Sequence, residues 1–444
     1  MAKYKIINGE GIIPNGTTEI EDNAFKMSSE LKSVTIPESV TKIGEHAFER
    51  CEELESINIP NSVTKIGKGA FKMSGQRNIN IPNSVTKIEK DAFKWCWKLT
   101  NVTIPDSVIE IGDSAFGGCE ALTSVTIPNS VTEIGDAAFV GCTALTSVTI
   151  PNSVTEIGYS AFSECYALTS VTIPNSVTKI GDSAFSECNA LTSINIPNSV
   201  TKIGDSVFSW CNALTSITIP NSVTEIGAWA FSGCEALTSI NIPESVTEIG
   251  AWAFSGCEAL TSINIPESVT GIGEYAFIGC GELTSITVAE ENKVYDSRNN
   301  CNAIIETKTN RLIQGCANTV ITKSVTEIGD SAFHKCKALT SINIPESVRK
   351  IGNMVFYECL VLKSVTIPNS VTEIGDCVFS GCENLTEIIL YQTDPSKIEI
   401  SGHSGLQKTQ ITLYVPKESV IAFQEHWFWS ECAAIKPITD DMLK

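Results

Sequence analysis

A chain of 444 residues has the length of two or three ordinary domains, yet only 18% of it is charged and 42% is hydrophobic. The formal net charge of −20 excludes a binder of phosphate backbones or of anionic membrane surfaces, since both need clustered Lys and Arg. No stretch approaches the length of a bilayer-spanning apolar helix, and the apolar residues are spread too evenly for a disordered chain.

Residues 1–15 read as a hairpin, with strands Tyr4–Ile7 and Gly11–Ile13 around the turn dipeptide Asn8-Gly9. Its expected role is to cover the open edge of the repeats that begin at residue 16. From residue 16 to residue 390 the chain repeats. The dipeptide Ala-Phe or Val-Phe marks each unit, from Phe25 to Phe277 and again from Phe333 to Phe379. The step is 23 residues, apart from one of 22 (Phe71 to Phe93) and one gap of 56 (Phe277 to Phe333). Cys96 to Cys280 keep the same period, which accounts for most of the 17 cysteines. A fixed period across most of a chain means stacked repeats and one linear core.

One unit, ALTSVTIPNSVTEIGDAAFVGCT, shows what each position is expected to do. Val125 and Ile127 share one face of a strand, and Ser124 and Thr126 face outward. Pro128 ends the strand, and Asn129 and Ser130 turn the chain. Val131 and Ile134 return to the core, and Gly135 allows a bend. Asp136 is expected to cap a short helical turn, beneath which Ala138, Phe139 and Cys142 join Leu122 in the interior.

Between about 288 and 325 the period breaks. Two apolar strands, Ala303–Glu306 and Arg311–Gln314, are expected to form a hairpin that projects from an enlarged coil. Residues 391–444 read as a C-terminal cap with a helix from about Ser419 to Ser430, in which Trp427, Phe428 and Trp429 seal the last coil.

The unit L-x-x-[VI]-x-I-P-x-[SN]-V-x-x-I-G-x-x-A-F-x-x-C resembles the BspA-like (Treponema pallidum-type) leucine-rich repeat of bacterial and protist surface proteins. The resemblance implies an α/β leucine-rich repeat right-handed solenoid of about 15–16 coils, with short strands on a concave face and short strands or helical turns opposite. It also implies a non-enzymatic module for binding and adhesion at a microbial cell surface or after secretion. Its partner would be a protein or glycan on a host or neighbouring cell, with no catalytic residue carried over. The opening MAKYKIINGEGII has no apolar run of signal-peptide length, which leaves a cytoplasmic location open. A self-assembling structural protein, joined through solenoid ends, and an intracellular interaction scaffold are the alternatives.

The residues offer little chemistry. No cysteine pair has zinc-site spacing, so the cysteine column reads as buried thiols, with Cys301 and Cys316 the one pair placed to cross-link. The Asp column (Asp113, Asp136, Asp182, Asp205, Asp330, Asp376) reads as turn caps before calcium ligands. No metal, cofactor, nucleic acid or membrane insertion is expected. Two surfaces are candidates for binding. One is an aromatic strip, Trp229, Trp252 and Tyr275, with Trp95, Trp97, Tyr159, Tyr166 and Trp210 at nearby variable positions. The other is the outward column of the strand, Thr126, Thr149, Thr172, Asn195, Thr218, Asn241, Asn264 and Thr287. Glu133, Glu156, Glu225 and Glu248 against Lys179 and Lys202 bias the surface towards a cationic partner.

Overall fold

The computed structural model describes residues 4–401, 405–406, 408–439 and 442. They divide into two compact units, Met1–Glu235 and Ala236–Lys444, each a stack of coils.

In the first unit every full repeat contributes to two parallel ladders. Three-residue strands such as Ser124–Thr126, Ser147–Thr149 and Ser170–Thr172 pair in register, Val125 with Val148 and Val148 with Val171. Two-residue strands form the second ladder, in which Ile111, Ile134, Ile157 and Ile180 stand in one row. The eight side chains expected inside the unit, from Leu122 to Cys142, are all buried. The phenylalanines form one stack: the rings of Phe25 and Phe48 lie 5.3 Å apart at 9°, and the column continues at similar spacing to Phe231. At the start the chain folds into a hairpin, Lys5–Ile7 against Glu10–Ile12, whose second strand pairs parallel with Ser33–Thr35. Tyr4 stacks on Phe25 at 5.4 Å and covers the end of the ring column.

The third side of each coil differs from expectation. It contains no helical turn. Ala138, Val140 and Cys142 donate to the carbonyls of Gly135, Ala137 and Phe139, each three residues back, which makes a run of β-turns. Positive φ at Ala137 (53°) and Gly141 (67°) interrupts the right-handed conformation every few residues, so no helix can propagate. The turns are instead tied from coil to coil: Ala137, Phe139 and Gly141 donate to Tyr159, Ala161 and Ser163.

These bonds run forward along the stack, whereas those of the strand ladder beside them run backward. Gly135 donates back to the Ile111 carbonyl at 2.9 Å, and Ala137 donates forward to Tyr159 at 2.7 Å. The N–H between them has no backbone acceptor, and the aspartate supplies one. Asp136 donates its N–H to Asp113 Oδ1 at 3.3 Å, and its own Oδ1 accepts from Tyr159 N at 2.7 Å. The pattern recurs where Asp182 accepts from Asp205 and Asp205 from Ala228. Asp113, Asp136, Asp182, Asp205 and Asp330 are therefore inter-coil acceptors, not helix caps, whereas Asp376 accepts from its neighbour Cys377. Gly135 is present for a related reason: a Cβ there would lie 2.8 Å from the backbone nitrogen of Asp113 in the preceding coil.

The cysteines also act as more than small apolar groups. The thiols of Cys119, Cys142 and Cys165 donate to the carbonyls of Phe93, Phe116 and Phe139 at 3.2–3.3 Å, each in the coil before. Serine and threonine hydroxyls do the same elsewhere on the coil, as from Ser130 to Val108 and from Thr146 to Thr123.

The second unit repeats this construction with one irregular coil. The strands Ala303–Glu306 and Arg311–Gly315 form the expected antiparallel pair. They do not project: Ala303, Ile304, Ile305 and Leu312 are fully buried, and Arg311–Gly315 pairs parallel with Glu327–Ile328. The hairpin thus takes a place in the ladder. Gly315 takes the backbone place of a repeat phenylalanine, its N–H donating to Ala332 at 2.8 Å, and it must be glycine because a Cβ would come within 2.3 Å of the Phe333 ring. Cys301 and Cys316 are free thiols with separate partners, Ser297 and the Asn302 carbonyl. At the end, Thr412–Val415 and Ala434–Pro437 extend the ladder. The helix covers only Val420–Glu425. Phe423, Phe428 and Trp429 are buried there, but Trp427 is 70% exposed and seals nothing.

Burial pushes the thiols of Cys142, Cys234 and Cys280 up to about 12, so they stay neutral and unreactive at pH 8. Only Cys377 and Cys432 are not buried. Native protein treated with a thiol reagent at pH 8 will label these two first, as peptide mapping will show, and all 17 only after unfolding.

Candidate binding surfaces

Apart from its terminal strands, which carry Glu10, Ile12, Glu387, Ile389, Tyr414 and Lys436, the strand ladder presents an outward face free of large side chains. Thr126, Thr149, Thr172, Asn195 and Thr218 in the first unit are all exposed, as are Asn241, Asn264 and Thr287 in the second. Parallel pairing in register brings like next to like, so polar side chains bridge coils: Asn101 donates to Asn78 at 3.1 Å, and Thr287 to Asn264 at 2.8 Å. The result, over the repeat strands, is a lattice of donors and acceptors built from uncharged Ser, Thr and Asn.

The two-residue ladder of the first unit is different. Between it and the aspartates lies an open groove of ≈ 730 Å³, lined by Asp113, Glu133, Asp136, Glu156 and Asp182, with Lys179, Lys202 and Tyr159. Lys179 faces Glu156 at 3.5 Å, and Lys202 faces Glu225 at 2.7 Å. Carboxylates outnumber ammonium groups along this groove. They do not converge on a common point, and among the described residues no group of His, Cys, Asp or Glu is placed to hold a metal ion.

The turn side carries the aromatic residues. Trp229 in the first unit is 42% exposed. Trp252 and Tyr275 in the second are half-buried, their rings 4.6 Å apart and tilted by 36°. All three occupy the left-handed position two residues after the repeat glycine, with φ of 57–59°. Trp95, Tyr159 and Trp210 are exposed too, Trp97 is half-buried, and the Tyr166 hydroxyl donates to Glu187 at 3.5 Å.

Trp95 and Trp210 rest on a support. Added Cβ atoms at Gly118 and Gly233 would lie 2.4 Å and 2.7 Å from these indoles. Each ring lies against the glycine one coil later and shows its remaining surface to solvent. Sequence reasoning misses this pairing, although a Trp one position before the cysteine, followed 23 residues later by Gly, carries the signal.

The profile of the BspA-type leucine-rich repeat region matches residues 7–120, 86–214, 201–314 and 304–436. The chain belongs to this family. Among solved structures, it is similar to a leucine-rich repeat protein from Bacteroides ovatus, at 27% identity and TM-score 0.58 over 97% of this chain and 94% of that one. It is also similar to a leucine-rich cell surface protein from Faecalibacterium prausnitzii, at 29% identity and TM-score 0.54 over 83% and 89%. No curated protein sequence matches it. As a BspA-type repeat protein it has the solenoid of a family whose members are interaction and surface proteins, a fold that is typically non-enzymatic. No helix among the described residues is long and apolar enough to cross a membrane.

If the aspartates serve the backbone and not a metal, Asp136→Ala will lower stability by about 0.5–1 kcal/mol in urea, because Tyr159 N loses its acceptor. Asp136→Asn will retain most of it, and calcium or EDTA will shift the melting temperature of neither protein.

Proposed function

We propose that this protein is a non-enzymatic binding and adhesion module, displayed on a microbial cell or secreted, which recognises protein or glycan partners. One observation carries the reading. The fold hides its fifteen repeat phenylalanines completely or nearly so, yet it leaves Trp95, Trp210 and Trp229 each more than 40% exposed. Large exposed aromatic rings are costly in water and are the side chains that anchor partners or stack on sugars. Trp95 and Trp210 are held by glycines, so little side-chain entropy is lost when a partner settles on them.

The remaining surfaces agree with such a role. The strand face offers a flat row of hydroxyl and amide groups to an extended partner, and the acidic groove favours a partner segment rich in Lys or Arg. The Faecalibacterium protein is described as a cell surface protein, which supports the same location here.

A glycan and extracellular-matrix protein array probed with the full chain is expected to give defined partners. The variant Trp95→Gly/Trp210→Gly/Trp229→Ser uses residues that occupy the same positions in other coils, as Gly141 and Ser183 do. It should weaken those partners at least about tenfold, the loss expected from removing exposed aromatic anchors. Undiminished binding would remove these indoles from the contact.

A further inference from the structure

The irregular coil leaves a gap in the bonding between coils. In the coil before it, Trp252 N, Phe254 N and Gly256 N donate forward to the carbonyls of Glu274, Ala276 and Ile278 at 2.7–3.0 Å. The equivalent N–H groups of Tyr275 and Phe277 have no acceptor among the described residues, because the next stretch of chain is a hairpin and not a run of turns. The forward bonds resume at Gly315 N, which donates to Ala332 at 2.8 Å, and continue at Ser331 N and Phe333 N, which donate to Asn353 at 2.8 Å and Val355 at 3.0 Å.

A cavity of ≈ 130 Å³ occupies this break, lined on one side by Gly273–Ile278 and on the other by Arg311, Ile313, Gln314 and Gly329–Ser331. Ile313 is the residue skipped in the pairing of the hairpin strands, where the register shifts. Ser331 is 2% exposed, and its hydroxyl has no hydrogen-bond partner among the described residues. Buried donors and hydroxyls are seldom left unpaired, so two backbone N–H groups and one hydroxyl at a single cavity point to a missing ligand.

The charges identify its class. An anion would meet the carboxylates of Glu274 and Asp330, against one guanidinium already engaged: Arg311 lies 3.0 Å from Glu327 and 3.6 Å from Asp330. A cation would meet Arg311 and a row of N–H donors. A neutral polyhydroxyl ring suits both sets, since each hydroxyl can accept from an N–H and donate to a carboxylate. Tyr275 lines the cavity and packs on Trp252 behind it, which supplies an aromatic wall for a ring.

We propose that this cavity binds one ring of a neutral saccharide, placed beside Tyr275 and held by the N–H groups of Tyr275 and Phe277, the Ser331 hydroxyl and the Asp330 carboxylate. The proposal rests on reading the chain as a binding module but uses none of Trp95, Trp210 and Trp229.

Saturation-transfer NMR and calorimetry on the full chain will test it with the methyl glycosides of glucose, galactose, mannose and N-acetylglucosamine, and with glucuronate and lysine as charged probes. At least one neutral glycoside is expected to bind. Ser331→Ala and Tyr275→Ala should each raise its Kd about tenfold, while Ile109→Thr, at an exposed position of the first unit outside every surface described above, leaves it unchanged. Both alanines are compatible with the backbone, because Ala137 takes the same position at φ 53°, and an unaltered melting temperature will confirm folding. Absence of transfer to all four glycosides overturns the proposal, as does binding that survives both alanine variants, or preference for glucuronate or lysine. If array partners still depend on the indoles when no glycoside binds, the cavity proposal falls alone.

Discussion

Everything in this protein depends on pairing backbone groups between consecutive coils. A 23-residue coil is too short to enclose a core, and its three sides hold too few residues for a helix or a long strand. Its N–H and C=O groups therefore find partners one coil up or one coil down, and close approach of the coils is the condition for stability. The repeat glycine is present because the neighbouring backbone passes where its Cβ would be. The aspartate stands where bonds of the strand ladder, directed backward, give way to bonds of the turn ladder, directed forward. In most coils the cysteine thiol supplies a donor to the carbonyl of a buried phenylalanine in the coil before, as from Cys142 to Phe116. Three of the most regular positions in the repeat thus serve the same requirement by different chemical means.

The surfaces derive from that register. Because equivalent residues lie side by side, whatever one repeat shows outward becomes a row. Ser, Thr and Asn give a polar strand face, Glu and Lys give a charged groove, and the left-handed positions of the turns display whatever side chain the repeat carries there. Variation is tolerated at these turn positions because their side chains leave the stack. A binding surface can then change by substitution without disturbing the core. Where the register itself fails, at the coil that holds the hairpin, the ladder leaves donors without acceptors and a cavity opens beside Tyr275.

Much of this was legible in the chain. The spacing of Phe and Cys declared the stack. Strand alternation placed Val125 and Ile127 inside, since a period of two has only one apolar face, and the apolar positions around the bends gave the other six interior residues of the repeat. The same reasoning failed on the third side of the coil. Asp followed by Ser-Ala-Phe or Ala-Ala-Phe looks like a capped helical start, but left-handed residues such as Ala137 and Trp229 break it. Local turn bonds such as Val140 N to Ala137 do not select that conformation by themselves, and at Ala137 the N–H is committed to Tyr159 in the next coil. Apolar strands at Ala303 and Arg311 were recognisable as a hairpin. That the hairpin enters the ladder depended on its pairing with Glu327–Ile328, a contact no local pattern announces.

The sequence by itself therefore determined the period, the interior column, the polar strand face and the family, because these are properties of residues repeated at fixed intervals. Only the tertiary structure decided the direction of the bonds between coils, the seat of Trp95 and Trp210 on glycines, and the N–H groups of Tyr275 and Phe277 that find no acceptor among the described residues. Each of these depends on what the next coil places opposite a given group, and that is a relation between coils.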